Sequence, residues 1–318
     1  MYDVVCVGSA LLDIYIKSGK FTKIESGQYA EGVALCEEYG GKTEVEQLVI
    51  ASGGAGTNAA VAFARKGLKT ALIAEVGKDL AAATIKAELS REGVDWSLLS
   101  EVEGEETGMS VILVAPDAGR SALIYRGASK LLTKPDIKWD EVRAKWMYLG
   151  TVGGEVELME GLIGHAKTYG LKVMVNPGMG EIEKIRSQMM DDGLQIFRGV
   201  EVLMMNREEA AALLELPLQE EAVWQGTWQI EGPHWVVVTD GKAGGLVMGE
   251  QKRLVYKAER VEAVEETGAG DAFGTGLAYA LMQGKDIETA IAWGKKQAGS
   301  VIAHMGAKQG LLRATDFA

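Results

Sequence analysis

Residues 264–273 read VEETGAGDAF and contain a glycine-rich turn around which the rest of the chain can be interpreted. Gly268, Ala269 and Gly270 stand directly before Asp271, and small apolar residues with helical spacing continue over 272–281. The pattern predicts a turn that opens onto the start of a helix. Small residues let backbone N–H groups approach a ligand, and a helix N-terminus adds unpaired donors and a positive dipole end. Together these features predict a phosphate site.

Asp271 has two interpretations at such a site. A bound phosphate would repel a carboxylate, so its use there would be chemical, as the base that takes a proton from an attacking hydroxyl. The other interpretation is a tight turn with an aspartate that caps the helix. The turn fits neither the Walker pattern nor G-x-G-x-x-G. Taken alone, the four residues favour the capping interpretation, and the rest of the chain has to decide.

The bulk composition indicates a soluble globular protein, with 47% hydrophobic and 25% charged residues among 318. This length fits one large α/β domain, with or without a small appended one. The formal net charge of −12 argues against a nucleic-acid or anionic-membrane surface. Cys6 and Cys36 show neither metal nor redox spacing. With no leader-like start and no apolar stretch of membrane-spanning length, we expect a cytoplasmic protein.

Another glycine-rich turn occurs earlier, where residues 52–58 read SGGAGTN. In chain order it is the first turn, and the turn within 264–273 is the second. The alanines that follow over 59–66 predict a slim helix packed close to a sheet, which Gly67 ends. This turn is either a close-packed corner or a site where the backbone meets a polyol. In the second case the Asn58 amide supplies both a donor and an acceptor.

Strands and helices alternate along most of the chain, which predicts a parallel sheet with helices on both faces. The predicted parallel strands are residues 4–7, 70–76, 146–150, 171–175, 200–205 and 235–239. Asp13, Asn176, Asn206 and Thr239 fall at or just after strand ends, and Asp271 starts a helix that can face the same edge. Ligands of open α/β sheets bind at that edge. The sequence therefore predicts a cleft there.

Two regions interrupt the alternation. Residues 109–115 and 121–126 are extended segments joined by PDAG at 116–119, which predicts a hairpin. The hairpin can join the less regular residues 15–50 in a small β-sheet lid. Trp224 and Trp228, four residues apart, predict a packed helix.

With these motifs in hand, the chain resembles the ribokinase-like (PfkB) carbohydrate kinase family over nearly its whole length. The family's C-terminal signature Asp-Thr-x-Gly-Ala-Gly-Asp-x-Phe is similar to residues 265–273. By this resemblance Asp271 is the catalytic base, and Gly268, Ala269 and Gly270 form the anion hole. The sugar-binding residues it implies are Asp13, Gly53, Gly54 and Asn58. The nucleotide-site residues it implies are Asn176, Asn206, Thr239, Gly241 and Gly244.

The resemblance also implies cofactors and an architecture. ATP is the phosphoryl donor, and Mg²⁺ is held indirectly near Glu209 in an Asn-x-x-Glu motif. Glu265 and Glu266 replace the usual Asp-Thr, whose Asp often helps to hold a monovalent cation, so K⁺ use stays undecided. We expect a Rossmann-like core of residues 1–14, 51–106 and 128–318. A lid of residues 15–50 and 107–127 completes it, through which two copies can dimerise.

Several alternatives stay open at this point. The acceptor is a small sugar, as in a ribokinase or fructokinase, or a nucleoside such as adenosine. A regulator that keeps the fold without turnover is the third possibility, because Glu265 and Glu266 add negative charge near the anion hole. Glu209 also fits the first turn of a helix, where acids interact well with the dipole. A nicotinamide dehydrogenase is disfavoured, since Gly8 begins no G-x-G-x-x-G motif.

Overall fold

The computed structural model describes residues 1–29, 32–115, 117, 119–188, 193–216, 230–249 and 251–317. The strands of its largest sheet are β1 (Tyr2–Val7), β6 (Thr70–Ile73), β11 (Ala144–Leu149), β12 (Lys172–Val175), β13 (Val202–Asn206), β14 (Trp235–Asp240), β15 (Gly244–Gly249) and β16 (Lys252–Tyr256). Their order is β16-β15-β14-β13-β12-β11-β1-β6. The strands from β14 to β6 run parallel, and β15 and β16 add an antiparallel hairpin at one side. The predicted parallel sheet is confirmed, with a mixed edge.

Helices cover both faces of this sheet. They are α1 (Ala55–Arg65), α2 (Leu80–Arg91), α3 (Val156–Tyr169), α4 (Met179–Gln188), α5 (Arg207–Leu214), α6 (Ala269–Met282) and α7 (Ile287–Ile302). Along β1, Val4 and Cys6 belong to the core that includes α1, α6 and α7, whereas Val5 and Val7 belong to the core that includes α3 and α5. Alternate residues of a strand point to opposite faces. A strand buried on both faces reads as an unbroken apolar run, as residues 4–7 do.

A second sheet contains the predicted lid. It consists of β10 (Arg120–Tyr125), β9 (Gly108–Val114), β2 (Leu11–Lys17) and β5 (Gln47–Gly53), in that order. The antiparallel pairing of β9 with β10 forms the predicted hairpin, and β9 also pairs with β2, which precedes it in the chain. Positions 116 and 118 of the hairpin connection lie outside the described residues, as do Trp224 and Trp228.

The predicted position of Asp13 at the end of the first strand is wrong. Strand β1 ends at Val7, and Asp13 lies inside β2, paired with Ala51 on one side and Ser110 on the other. In the second sheet β2 begins at Leu11 and β5 ends at Gly53, so this sheet includes residues on both sides of the range 15–50. Seven residues of β2 pair continuously with β5 and β9, which holds residues 11–14 in this sheet.

Two small ribbons complete the described structure. Strands β3 (Thr22–Glu25) and β4 (Val33–Cys36) form a hairpin beside the lid sheet. Strands β7 (Glu75–Gly77) and β8 (Ser100–Val102) pair parallel to each other. In the ranges that the structure describes, no helix combines the length and the apolar character needed to cross a bilayer.

Candidate active site

Asp271 lies in the first turn of α6, as the sequence predicts, and does not cap it. The residue in the capping position is Gly268, in the left-handed conformation with φ 78°. The Asn58 Nδ2 atom donates a hydrogen bond of 2.8 Å to Asp271 Oδ2, which joins the two glycine-rich turns. Burial raises the pKa of the Asp271 carboxyl, and Asp13 raises it further, while the Asn58 hydrogen bond and Lys308 oppose the rise. A partly buried carboxylate held by one amide is suited to accept a proton.

The turn before Asp271 leaves open space. A Cβ added to Gly270 would meet no atom within 4 Å, whereas one added to Gly268 would lie 2.5 Å from the Cβ of Ala307. Packing thus explains the glycine at 268 but not the one at 270. Ala269 and Gly270 line a cleft of about 1100 Å³. The space over Gly270 would be filled by any side chain at this position, and it lies at the start of a helix, where backbone N–H groups can bind phosphate.

The first glycine-rich turn is packed tightly against the lid. A Cβ on Gly53 would lie 1.9 Å from Asp13 Oδ2, and one on Gly54, whose φ is 87°, would lie 2.5 Å from the Ser9 carbonyl oxygen. Asp13 is buried and accepts a hydrogen bond of 3.2 Å from the hydroxyl of Tyr15. Burial raises the pKa of Asp13, and Lys308 opposes the rise. The four predicted sugar-binding residues thus lie at the junction of the lid with α1.

Lys308 is a site residue that the sequence reasoning missed. Its ammonium group is buried and donates to the Ser52 carbonyl oxygen, to Thr57 Oγ1 at 3.0 Å and to Asn58 Oδ1 at 2.8 Å. Burial lowers its pKa to about 8, against the opposing effect of Glu88, Asp13 and Asp271. A lysine in an irregular segment near the chain end gives no periodic signal, so only the fold reveals its position.

The predicted nucleotide residues lie at the carboxyl ends of neighbouring strands. Asn206 pairs with Thr239 across β13 and β14, and the Asn176 side chain donates a hydrogen bond of 3.1 Å to the Met204 carbonyl oxygen. The cleft is lined by Thr239, Gly241 and Gly244 together with the glycine-rich turn, and its described lining includes neither asparagine. The structure therefore brings three of the five predicted nucleotide residues to the cleft wall, and the two asparagines lie at the ends of the neighbouring strands behind it.

Glu209 forms the helix-start structure that the sequence offered as its alternative. Its carboxylate accepts from the Asn206 backbone N–H, and Asn206 Oδ1 accepts from the Glu209 N–H, each at 2.8 Å. Burial raises the pKa of Glu209 to about 7, although the hydrogen bond from the Asn206 N–H opposes the rise. The negative charges of Glu208, Glu181 and Asp271 raise this pKa further. Mg²⁺ is commonly held by one or two carboxylates plus phosphates. In the described parts of the chain no three metal-ligating side chains lie together, so a Mg²⁺ ion near Glu209 would need phosphate or water oxygens for most of its ligands.

A link between the lid and the second turn was also missed. Arg120, the first residue of β10, lies 3.8 Å from Glu265 Oε1 and 4.0 Å from Glu266 Oε2. Glu265 Oε1 accepts from the Thr267 N–H at 2.6 Å, while Glu265 Oε2 and Thr267 Oγ1 are buried without a hydrogen-bond partner. The hairpin pattern predicts β10 but not which of its residues reaches across to the core.

The sequence is similar to a known family of enzymes and to several of its members. The model of the pfkB family of carbohydrate kinases matches residues 1–313. A ribokinase from Haemophilus influenzae is 31% identical over 270 residues, which are 82% of this chain and 84% of that protein. A nucleoside kinase from Methanothermobacter thermautotrophicus is 26% identical over 250 residues, or 78% of this chain and 77% of the other.

Solved structures show the same fold. Arabidopsis thaliana ribokinase complexed with ribose and ATP superposes with a TM-score of 0.75 at 22% identity, over 99% of this chain and 97% of that one. The family model covers almost the whole chain. The covered part includes the glycine-rich turn before Asp271, the polar residues at the strand ends and the lid sheet. The chain belongs to the pfkB family of carbohydrate kinases.

Proposed function

We propose that this chain transfers the γ-phosphoryl group of ATP to a primary hydroxyl of a small sugar, as a ribokinase or fructokinase does. The observation that carries the proposal is the pairing of Asp271 with Asn58 beside the open space over Gly270. That arrangement puts a proton acceptor next to a cradle of backbone donors. The ribokinase relative and the ribokinase structure with ribose and ATP support the acceptor and the donor.

The reaction follows from these positions. Asp271 accepts the hydroxyl proton of the sugar as the hydroxyl oxygen attacks the γ-phosphorus. The bond from the γ-phosphorus to the bridging oxygen breaks, and ADP leaves with that oxygen. The backbone N–H groups of 268–270 stabilise the charge that develops on the transferred group. Asp13, Gly53 and Gly54 would fix the acceptor, and closure of the lid would exclude water as a competing acceptor.

Thr239, Gly241 and Gly244 line the cleft that would hold the nucleotide, and Asn176 and Asn206 support the strand ends behind it. We propose that Glu209 holds Mg²⁺ indirectly, through water or phosphate. When bound with the triphosphate, this ion neutralises phosphate charge. Both cysteines are free, which supports a reducing compartment, and we propose that the enzyme works in the cytoplasm.

The replacement Asp271→Asn tests the base directly. It keeps the shape of the side chain and removes its basicity, so turnover should fall by roughly 10²–10⁴-fold, while ATP binding measured by calorimetry stays within a few-fold. Asp286→Asn is the matched control, because Asp286 starts the neighbouring helix α7 by accepting from the Thr289 N–H and lies outside the site. Near-normal turnover of Asp271→Asn would remove this residue from the role of base.

A coupled ADP-release assay identifies the acceptor. The panel contains ribose, fructose, 2-keto-3-deoxygluconate and adenosine, each with Mg-ATP and with a no-acceptor blank. We expect the highest kcat/KM with one of the three sugars. A preference for adenosine would instead assign the chain as a nucleoside kinase, in line with its Methanothermobacter relative. No ADP release above the blank with any acceptor would contradict the proposed sugar kinase.

We further propose that the outer face of the lid joins two copies of this chain. Strand register puts Ile14, Ile50, Val111 and Leu123 on one face, and Leu123 and Ile50 are 65% and 54% exposed. An apolar face that spans four strands is typical of an interface, and a two-fold axis lets the same face cover itself.

Light scattering at several protein concentrations tests this interface. Leu123→Asp should convert a dimer to a monomer, because the new carboxylate would face its own copy across the two-fold axis. Leu80→Asp provides the control at an exposed leucine at the start of α2, away from the lid face, and should leave the mass unchanged. A wild-type protein that is a monomer at all concentrations would contradict the interface.

A further inference from the structure

The ammonium group of Lys308 has no proton left for a substrate. A lysine ammonium has three N–H donors, and those of Lys308 have three partners: the Ser52 carbonyl oxygen, Thr57 Oγ1 and Asn58 Oδ1. The partners lie on β5 and α1, the two elements on either side of the first glycine-rich turn. Lys308 therefore acts on the site through other residues rather than by binding the acceptor.

Its contact with Asn58 decides which way the Asn58 amide faces. The amide oxygen accepts from Lys308 at 2.8 Å, and the amide nitrogen donates to Asp271 Oδ2 at 2.8 Å. The reversed amide would turn its oxygen toward a carboxylate and its NH₂ toward an ammonium, which leaves both contacts repulsive. With a cation on one side and an acid on the other, a single orientation satisfies the amide, and this orientation holds the Asp271 carboxylate in place.

The charges around Asp271 make a second contribution. Asp13 on β2, Glu209 on α5 and the phenol of Tyr148 on β11 interact with the Asp271 carboxylate. The acidic members of this group disfavour a further negative charge, and Lys308 is the cation that opposes them. Lys308 is itself faced by Glu88 on α2, by Asp13 and by Arg65 on α1. The Glu88 carboxylate also accepts from the Ser52 N–H at 2.6 Å, which connects α2 to the same network.

We propose that Lys308 is a positioning residue of the kinase reaction, which fixes the Asn58 amide and places a positive charge on the side of that amide opposite to Asp271. The proposal rests on the proposed function, in which Asp271 is the base. Since Lys308 lies in the segment that follows α7, the base on α6 depends on a residue beyond the last long helix of the described chain.

The test is the pH profile of kcat for Lys308→Met and Lys308→Gln, with Lys66→Met as the control. Lys66 is a second buried lysine, but its Nζ donates to the Ala62 carbonyl oxygen and lies over the rings of Phe63, Tyr279 and Phe317. Its replacement reports what the loss of a buried lysine does to the fold. Melting temperatures and the KM for ATP are measured for all three variants.

For both Lys308 variants we expect the acid limb of the kcat profile to move up by about one pH unit, since an opposite charge near a carboxyl lowers its pKa by about 1–3 units. The sign follows from the base: without the cation Asp271 takes up its proton at higher pH, so activity is lost earlier as the pH falls. At pH values below both acid limbs kcat should be about 10-fold lower than in the wild type, and at pH values above both limbs the difference should narrow. Lys308→Gln, which can still donate to Asn58 Oδ1, should have a higher plateau than Lys308→Met. Lys66→Met should keep the wild-type limb.

The outcomes are separable. An acid limb that stays in place in both variants, whether kcat falls equally at all pH values or does not change, overturns the charge contribution of Lys308. If Lys308→Met does not fold, the limb of Lys308→Gln decides alone. Asp271→Asn, assayed in the same series, tests the base separately. Normal turnover there refutes Asp271 as the base. A large loss there, combined with an unmoved limb in the Lys308 variants, refutes only the charge contribution of Lys308, and an unchanged kcat plateau in those variants refutes its positioning of Asn58.

Discussion

The two glycine-rich turns have similar sequences and opposite surroundings. At the start of α1, added side chains on Gly53 and Gly54 would lie 1.9 Å and 2.5 Å from atoms of Asp13 and Ser9. At the start of α6, a side chain on Gly270 would meet nothing within 4 Å. The first turn is closed by the protein itself, and the second is left open on a cleft of about 1100 Å³.

The difference shows that a glycine-rich turn can serve either close packing or ligand binding, and that the sequence of the turn alone does not tell which of the two applies. In the closed turn, glycine permits a close approach of chain segments and so fixes Asn58 relative to the lid. In the open turn, it leaves room for a ligand beside backbone N–H groups. Substituting alanine into each turn therefore probes the comparison, since one change should damage folding and the other should damage function alone.

Gly54→Ala should have the larger effect. Its φ of 87° strains any residue with a side chain, and the new Cβ would lie 2.5 Å from the Ser9 carbonyl oxygen. Strain and overpacking cost about 1–3 kcal/mol each, so the free energy of unfolding should fall by about 2–6 kcal/mol. Urea unfolding followed by circular dichroism measures the change. A loss below about 0.5 kcal/mol would show that the first turn is not closed by packing.

Gly270→Ala should leave the fold intact and impair the reaction. Alanine replaces glycine in a helix with open space around it, so stability should rise by up to about 1 kcal/mol. The same methyl group enters the space assigned to phosphate, and kcat/KM for ATP should fall about 10-fold or more. Steady-state kinetics and thermal unfolding of the same preparation test both signs.

Gly164→Ala is the control for this pair of effects. Gly164 lies in α3, and a Cβ there would also meet no atom within 4 Å. It should give the gain in stability without the kinetic loss. If Gly270→Ala also kept its kcat/KM, the open space in the second turn would not be where the phosphate binds.

The smallest expected effect concerns the cation next to the second turn. Arg120 already places a positive charge 3.8 Å from Glu265, so exchanging KCl for NaCl at constant ionic strength should change kcat by less than about two-fold. A larger activation by K⁺ would show that Glu265 Oε2 and Thr267 Oγ1, which are buried without a hydrogen-bond partner, hold the ion. Arg120→Gln, measured in both salts, then separates the contribution of the guanidinium group from that of the ion.

The central sheet was predictable because its signal is local. A run such as residues 4–7 is apolar throughout since both sides of the strand are buried, and small polar residues mark its end. Asp286 and Asp79 each begin a helix by accepting a backbone N–H, as residues of this type commonly do. Such features depend only on a few neighbouring residues along the chain, so tertiary contacts do not change them.

The site was only partly predictable because much of it depends on distant contacts. Asp13 looked like the end of one strand and lies inside another, since pairing with β5 and β9 overrides the local pattern. Lys308 contacts residues about 250 positions away, and Arg120 reaches from the lid to Glu265. No spacing in the sequence encodes these approaches. The family resemblance predicted the shared motifs but not the charged residues around them.

The continuity of β5 with α1 has a consequence for exchanging parts between relatives. Gly53 ends a strand of the lid, and Asn58 follows within the next two helical turns, while Asp13 lies in the adjoining strand β2. A lid grafted from another family member together with the start of α1 would thus carry its own counterparts of all four proposed acceptor residues, while the phosphate-binding turn would remain that of the host. Chimaeras cut at this seam should inherit the sugar preference of the lid donor.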